Sequence, residues 1–201
     1  MSTYFDERAR DWDSDPGKIE RARLVAQAMR QRLPLSKAMS ALEYGCGTGL
    51  LSFALQEQLG HITLADSSEG MLQVLGEKIS ASGLTHLKPL KLDLAEDPFP
   101  VERFDLVYSL LTLHHVPDTA RLLADFFNLL KSPGWLAIAD LDQEDGSFHG
   151  AGVEVHHGFE RGKLGKILEA VGFVQVSFET AARLKREDVE FPVFLAVGKK
   201  N

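Results

Sequence analysis

Between positions 17 and 33, Ile19, Ala22, Ala26, Met29 and Leu33 recur at steps of three and four residues. That spacing predicts an amphipathic helix with one apolar stripe, ended by Pro34. Beyond it, short apolar runs alternate with helical patterns. Strands are predicted over 40–43, 61–66, 87–93, 104–110 and 135–141. Helices are predicted over 50–59, 69–81, 118–130 and 160–171, with Ser82-Gly83 stopping the second and Asp118 capping the third. Pro89 inside the third strand puts that strand near an edge, because proline cannot donate to a ladder. Two further strands, 173–179 and 191–197, close the chain with no helix between them, so they form an antiparallel hairpin at or near one edge.

Alternating strands and helices imply a parallel sheet covered on both faces. The fold class is therefore α/β, a doubly wound, seven-stranded, mostly parallel sheet with an antiparallel final strand. In such sheets ligands sit outside the carboxyl ends of the strands, so the residues just after each strand carry the chemistry.

Composition narrows the setting. The 201 residues fit one domain, with no repeat or linker that would divide them; residues 1–37 form an N-terminal helical segment ahead of an α/β core at 38–201. The hydrophobic share of 44% and charged share of 25% are those of a globular chain, and no apolar run is long enough to span a bilayer. The polar N-terminus does not read as a signal peptide. A lone cysteine, Cys46, permits no intrachain disulfide and suits a reducing cytoplasm. The net charge of −7 argues against nucleic acid as the main partner.

The first strand runs into Glu43-Tyr44-Gly45-Cys46-Gly47-Thr48-Gly49 and then a helix. Glycines let the backbone turn tightly and let a ligand approach the main chain, and the following helix aims its first amides at the same spot. A dinucleotide fingerprint needs a small residue three places after Gly47, where Leu50 stands. The third glycine is Gly49, so the pattern is acid-x-G-x-G-x-G. Asp66 ends the second strand about 20 residues further on, where a carboxylate accepts from ribose hydroxyls; Asp66, Ser67 and Ser68 are also good helix caps. Met71 lies one turn into that helix, against an adenine face or in the core. Asp93 and Leu94 follow the third strand, where the acid accepts from an exocyclic amine or is a solvated loop acid.

"SLLTLHHVPD" follows the fourth strand, directing Ser109 and the His114–His115 pair toward the cleft. Adjacent side chains are expected to diverge, so the pair does not suit one metal; a base, a packing role and a capping role remain open. The long connection after the fifth strand contains His149, His156 and His157, which with Asp140 or Asp142 match no ligand spacing. No metal is expected.

Together, "EYGCGTG", "LADSSEGML", "LDL", "FDLVYSLLTLHHV", "LLKSPGWLAIADLD" and "GKILEAVGF" resemble, in order from about Ala41 onward, the class I S-adenosylmethionine-dependent methyltransferases of the small-molecule type. The resemblance implies a site in which Glu43, Gly45, Gly47 and Gly49 shape the bed of the cofactor S-adenosylmethionine. By the same resemblance, Asp66 beside Ser67 binds ribose, Met71, Asp93 and Leu94 adjoin adenine, and Ser109 contacts the amino-acid end. It implies a small-molecule acceptor, with His114 or His115 as base for a hydroxyl or amine. The segment before Ala41 fits the family's variable lid, with Tyr4, Phe5 and Trp12 positioned to cover a sulfonium or to pack the helix. The Asn/Asp-Pro-Pro-Tyr signature of amino-group methylation is absent after the fourth strand, and Ser109 stands where catechol-type enzymes carry a metal-binding acid. Rival readings are a protein that binds the cofactor without methyl transfer and a nicotinamide-dependent oxidoreductase, which Leu50 opposes.

Overall fold

The computed structural model describes residues 2–149, 155–186 and 189–201. Two elements precede the predicted first helix: α1 (Ser2–Arg8) and a 3-10 segment, Ala9–Ser14. The order continues α2 (Pro16–Arg32), β1 (Ser40–Tyr44), α3 (Leu50–Leu55), β2 (His61–Asp66), α4 (Glu69–Ser82), β3 (Leu87–Lys91) and β4 (Phe104–Leu110). It ends with a 3-10 turn (Leu113–His115), α5 (Thr119–Leu129), β5 (Leu130–Leu141), α6 (Arg161–Val171), β6 (Val174–Arg186) and β7 (Val189–Lys200).

The seven strands form one sheet in the order β3-β2-β1-β4-β5-β7-β6, parallel except for β7, which runs antiparallel to both β5 and β6. Pro89 sits in β3, an edge strand that pairs only with β2, as its missing N–H requires. Strand alternation divides the core in two. Ala41, Leu64, Leu106 and Leu195 face the side covered by α2, α3 and α4, with Val25, Met29, Leu51 and Leu75. Their neighbours Leu42, Ala65, Val107 and Phe194 face α5 and α6, with Leu123, Phe126, Leu164 and Leu168. The order reverses direction between β1 and β4, and the carboxyl ends of those strands open the switch point.

Local differences from the sequence reading have local causes. Helix α2 starts on Pro16 with the Asp15 carboxylate accepting from the Gly17 amide, and Ile19 is left 47% exposed while Val25 fills the stripe. Helix α3 stops at Leu55, and a turn bonded from the Gln58 amide to the Leu55 carbonyl carries Leu59 into the core. Strand β5 begins five residues earlier than the apolar run, because Leu130 pairs with Phe104 ahead of the Pro133-Gly134 bend. The last two strands extend to 12 and 13 residues, since the β7 backbone is held on both sides. Among the described residues, no helix is long and apolar enough to cross a membrane.

Candidate active site

The turn after β1 is built by three left-handed residues, Gly45, Gly47 and Gly49, at φ +69°, +53° and +82°. Each has a different reason to lack a side chain. A Cβ on Gly45 would meet the Thr112 side chain at 2.3 Å, and one on Gly49 would meet Leu75 at 2.7 Å. A Cβ on Gly47 would meet nothing nearer than the Met71 sulfur and the Trp12 indole nitrogen, both at 3.9 Å. Gly47 is thus the least crowded side of the turn, with Met71 and Trp12 at contact distance across it. Cys46, buried behind it, donates its amide to the Ala65 carbonyl at 3.0 Å; burial pushes its thiol up, so it packs rather than reacts.

The carboxylate of Asp66 ties this turn to the next element. One oxygen accepts the Gly47 amide at 2.7 Å, the other the Ser68 amide at 2.8 Å. Burial raises its pKa, against these bonds, which lower it. The cap of α4 is Ser68, whose hydroxyl accepts the Met71 amide at 3.1 Å; Ser67 is exposed. Glu43 lies on the opposite side, beneath the turn and 2% exposed, accepting the Ser52 hydroxyl, which is 2.6 Å from the Tyr108 hydroxyl. Burial pushes the Glu43 carboxyl up to about 8. It braces the turn from behind and does not line it.

Leu94 is drawn beside the same turn, its amide donating to the hydroxyl of Tyr44 at 3.2 Å. Asp93 is half-buried and accepts the Ala95 amide at 2.9 Å. Ser109, at the end of β4, is buried with a hydroxyl that has no partner. Leu111 then takes a left-handed φ of +52°, unusual for a side chain of that size. That bend sends Thr112 back to the glycine turn, where its hydroxyl donates to the Gly45 carbonyl at 3.3 Å, and starts the 3-10 turn holding both histidines.

His114 is 1% exposed, and its Nδ1 is 2.7 Å from an Asp140 carboxylate oxygen; Asp140, at the end of β5, also accepts the amides of His114 and Leu141. His115 does not diverge from it. Because Asp140 fixes the first ring and the turn is tight, the two ring centroids are 4.1 Å apart, tilted by 42°. His149 joins them, with centroids at 4.9 Å from His114 and 5.4 Å from His115. Nε2 of His114, Nδ1 of His115 and Nε2 of His149 are all buried without a partner. Burial, reinforced by His114, drives the His115 pKa down to about 3 and that of His149 down to about 4. His156 does not join: its Nε2 bonds the carbonyls of Val116 and Pro117 at 3.0 and 3.2 Å. Nor does Asp142, which forms a two-point pair with Arg161 at 2.7 Å. His157 packs on Gly146.

The N-terminal segment lies over both clusters. Asp6 accepts the Ser68 hydroxyl at 2.6 Å and the Gly70 amide at 2.9 Å. Asp13 accepts the Thr48 hydroxyl and the Lys78 ammonium. Phe5 meets His115 edge-on at 5.4 Å and Trp12 at 5.8 Å. Asp6 and Asp13 are residues that the sequence did not point to, and Asp140 was weighed there only beside His149, His156 and His157, not as the partner of His114. Asp140 alone carried a signal, its position at a strand's carboxyl end; the other two are acids in a polar run with no periodicity.

The methyltransferase-domain family matches residues 42–138. The chain is 34% identical over 112 residues to a demethylmenaquinone methyltransferase of Listeria monocytogenes serotype 4a, covering 54% of this chain and 47% of that protein. It thus spans about half the length of the curated relatives it matches. The fold is similar to that of a methyltransferase solved with the Haloferax volcanii Trm112 methyltransferase activator, at 20% identity and TM-score 0.78 over 97% of this chain and 96% of the other. It is also similar to Haemonchus contortus phosphoethanolamine N-methyltransferase 2 in complex with S-adenosyl-L-methionine, at 15% identity and TM-score 0.73 over 98% of this chain and 60% of the other.

Proposed function

From the match of residues 42–138 to the methyltransferase-domain family, we propose that the chain is a class I S-adenosylmethionine-dependent methyltransferase that transfers a methyl group to a small-molecule acceptor. The observation that carries this reading is the bond from the Gly47 amide to Asp66 at the least crowded glycine of the turn. It joins a tight turn able to touch a ligand's main body to a carboxylate with lone pairs left for ribose hydroxyls.

In this reading Gly45, Gly47 and Gly49 form the bed, and Glu43 supports it from below. Asp66 and Ser67 take the ribose, and Met71, Leu94 and Asp93 border the adenine. The unpartnered hydroxyl of Ser109 offers a donor and an acceptor at the amino-acid end. S-adenosylmethionine, once bound, supplies a methyl group on a positively charged sulfur, so the chain itself needs to align the acceptor and exclude water. Residues 1–37 act as the lid of the 38–201 core: Phe5 and Trp12 pack edge to face there, with the Lys18 ammonium 3.6 Å over one face of Trp12, so a ring that already holds one cation is suited to a second on its other face. A hydroxyl or amine acceptor passes its proton to His114 or His115; His114, whose Nδ1 faces Asp140, is the better base of the two, because burial holds the His115 pKa down at about 3. The reading includes a cytoplasmic setting and no nucleic-acid partner, in keeping with the acidic charge.

Calorimetry with S-adenosylmethionine and with NADH tests the cofactor, and methyl-labelled cofactor incubated with a metabolite extract tests the transfer. Binding of S-adenosylmethionine with formation of S-adenosylhomocysteine is expected. Binding of NADH alone overturns the reading.

A further inference from the structure

His114, His115 and His149 meet in one place, and each has a buried ring nitrogen without a partner. We propose that His114, His115 and His149 bind a single divalent transition-metal ion, of the zinc type, with Asp140 as the outer partner that orients His114. This goes beyond the methyl-transfer reading and does not need it to hold.

Four observations meet here. The donor atoms of the three histidines all lie within 4.8 Å of one another. Atoms so spaced lie within about 2.8 Å of a common centre, against ~2.0–2.1 Å for a zinc–imidazole bond, so each ring has under ~1 Å to move. Each ring also has one nitrogen buried with no hydrogen-bond partner, Nε2 of His114, Nδ1 of His115 and Nε2 of His149, a cost that a bound ion would remove. The remaining nitrogen of His114 is 2.7 Å from Asp140, which itself is fully buried; carboxylate-to-histidine-to-metal is the usual outer arrangement. Finally, the rings are held from outside: Phe5 lies edge-on to His115, and Phe148 lies 4.9 Å from His149 while packing on Phe191.

Three neutral nitrogen donors are the chemistry of zinc, copper, nickel or ferrous iron rather than magnesium or calcium. Three protein ligands also leave one coordination position open, the composition of a catalytic site rather than a purely structural one. An acceptor oxygen is the natural fourth ligand, and the ion would then take over from a free imidazole the task of favouring its deprotonated form.

The test uses tag-free full-length protein, dialysed against a chelator and titrated with Co²⁺, with Zn²⁺ as competitor. The expected result is one equivalent of Co²⁺ with the visible absorption of a tetrahedral nitrogen site, displaced by Zn²⁺. His149→Ala and His115→Ala should each abolish saturation in the same range, and Asp140→Asn should weaken binding by ~10–100-fold. Each variant's circular dichroism is compared with the parent to show that it folds. No saturable Co²⁺ binding by the parent, or equal binding by parent and His149→Ala, overturns the proposal. S-adenosylmethionine calorimetry on the same metal-free protein separates the two ideas: cofactor binding without cobalt binding rejects only the metal, and cobalt binding without cofactor binding rejects only the transferase.

Discussion

Glu43 shows what a single residue contributes here. It is a carboxyl group enclosed beneath the glycine turn, with Ser52 as its donor and no cation in contact. Its pKa is raised from the ordinary 4.5 to about 8, chiefly by burial. The folded state therefore binds this proton more tightly than the unfolded chain does. The resulting stability is fully present below pH ~4.5 and is lost as pH rises toward 8, the reverse of a salt-bridged acid. Glu43→Gln keeps the shape and removes the titration. Urea unfolding at pH 5.5 and pH 8 should show the parent losing on the order of a few kcal/mol more than the variant between the two. Equal pH dependence in both would mean that Glu43 is ionised in the fold. Sequence could nominate this acid, because it ends the first strand. It could not say which way the side chain faces, since the choice between lining the site and bracing the turn is made by Ser52 and Tyr108, nine and 65 positions away.

At the scale of elements, the roof over the site is the part that sequence hid. Helix α1 and the Ala9–Ser14 segment have no apolar period, because besides Phe5, Ala9 and Trp12 they are held by polar contacts: Asp6 on the start of α4, Asp13 on Thr48 and Lys78. Such partners are distant in the chain, and an acid in a polar run gives no sign of them. The same lack of range explains why the histidine pair was expected to diverge. What draws the rings together is Asp140 from another strand, and one turn of 3-10 helix. The contact of Asp13 with the glycine turn leads to a specific expectation. Asp13→Ala should leave global stability within about 1 kcal/mol, since the Lys78–Asp13 pair is partly exposed. It should, however, expose the amides of residues 2–14 to hydrogen exchange and raise the Kd for S-adenosylmethionine by roughly tenfold, or ~1.4 kcal/mol. If exchange rises and affinity does not, the segment is a cover with no part in holding the cofactor.

For the whole molecule, the number and direction of the strands were the most legible feature and site assembly the least, for one physical reason. Alternation, β-rich apolar runs and the missing final helix are local signals, and right-handed crossovers leave few ways to arrange them. They give a mostly parallel sheet and place the glycine turn, Asp66 and Ser109 at the carboxyl ends of β1, β2 and β4, while the order β3-β2-β1-β4-β5-β7-β6 is read from the structure alone. The proposed site gathers residues from the N-terminal segment through His149, so a ligand there touches elements far apart in the chain. A ligand of this kind stabilises the native state alone. At one hundred times its Kd, S-adenosylhomocysteine should add about 2.7 kcal/mol. For a chain of this size, each kcal/mol raises Tm by roughly 2–4 °C, so the midpoint should rise by about 5–11 °C. NAD at the same concentration should leave the midpoint unchanged, because Leu50 occupies the position that a dinucleotide turn keeps small. The shift should shrink in Asp66→Asn, whose amide gives the ribose hydroxyls a weaker acceptor than a carboxylate while still receiving the Gly47 N–H. A shift of equal size in Asp66→Asn and the parent would show that the ligand is held elsewhere than at the end of β2.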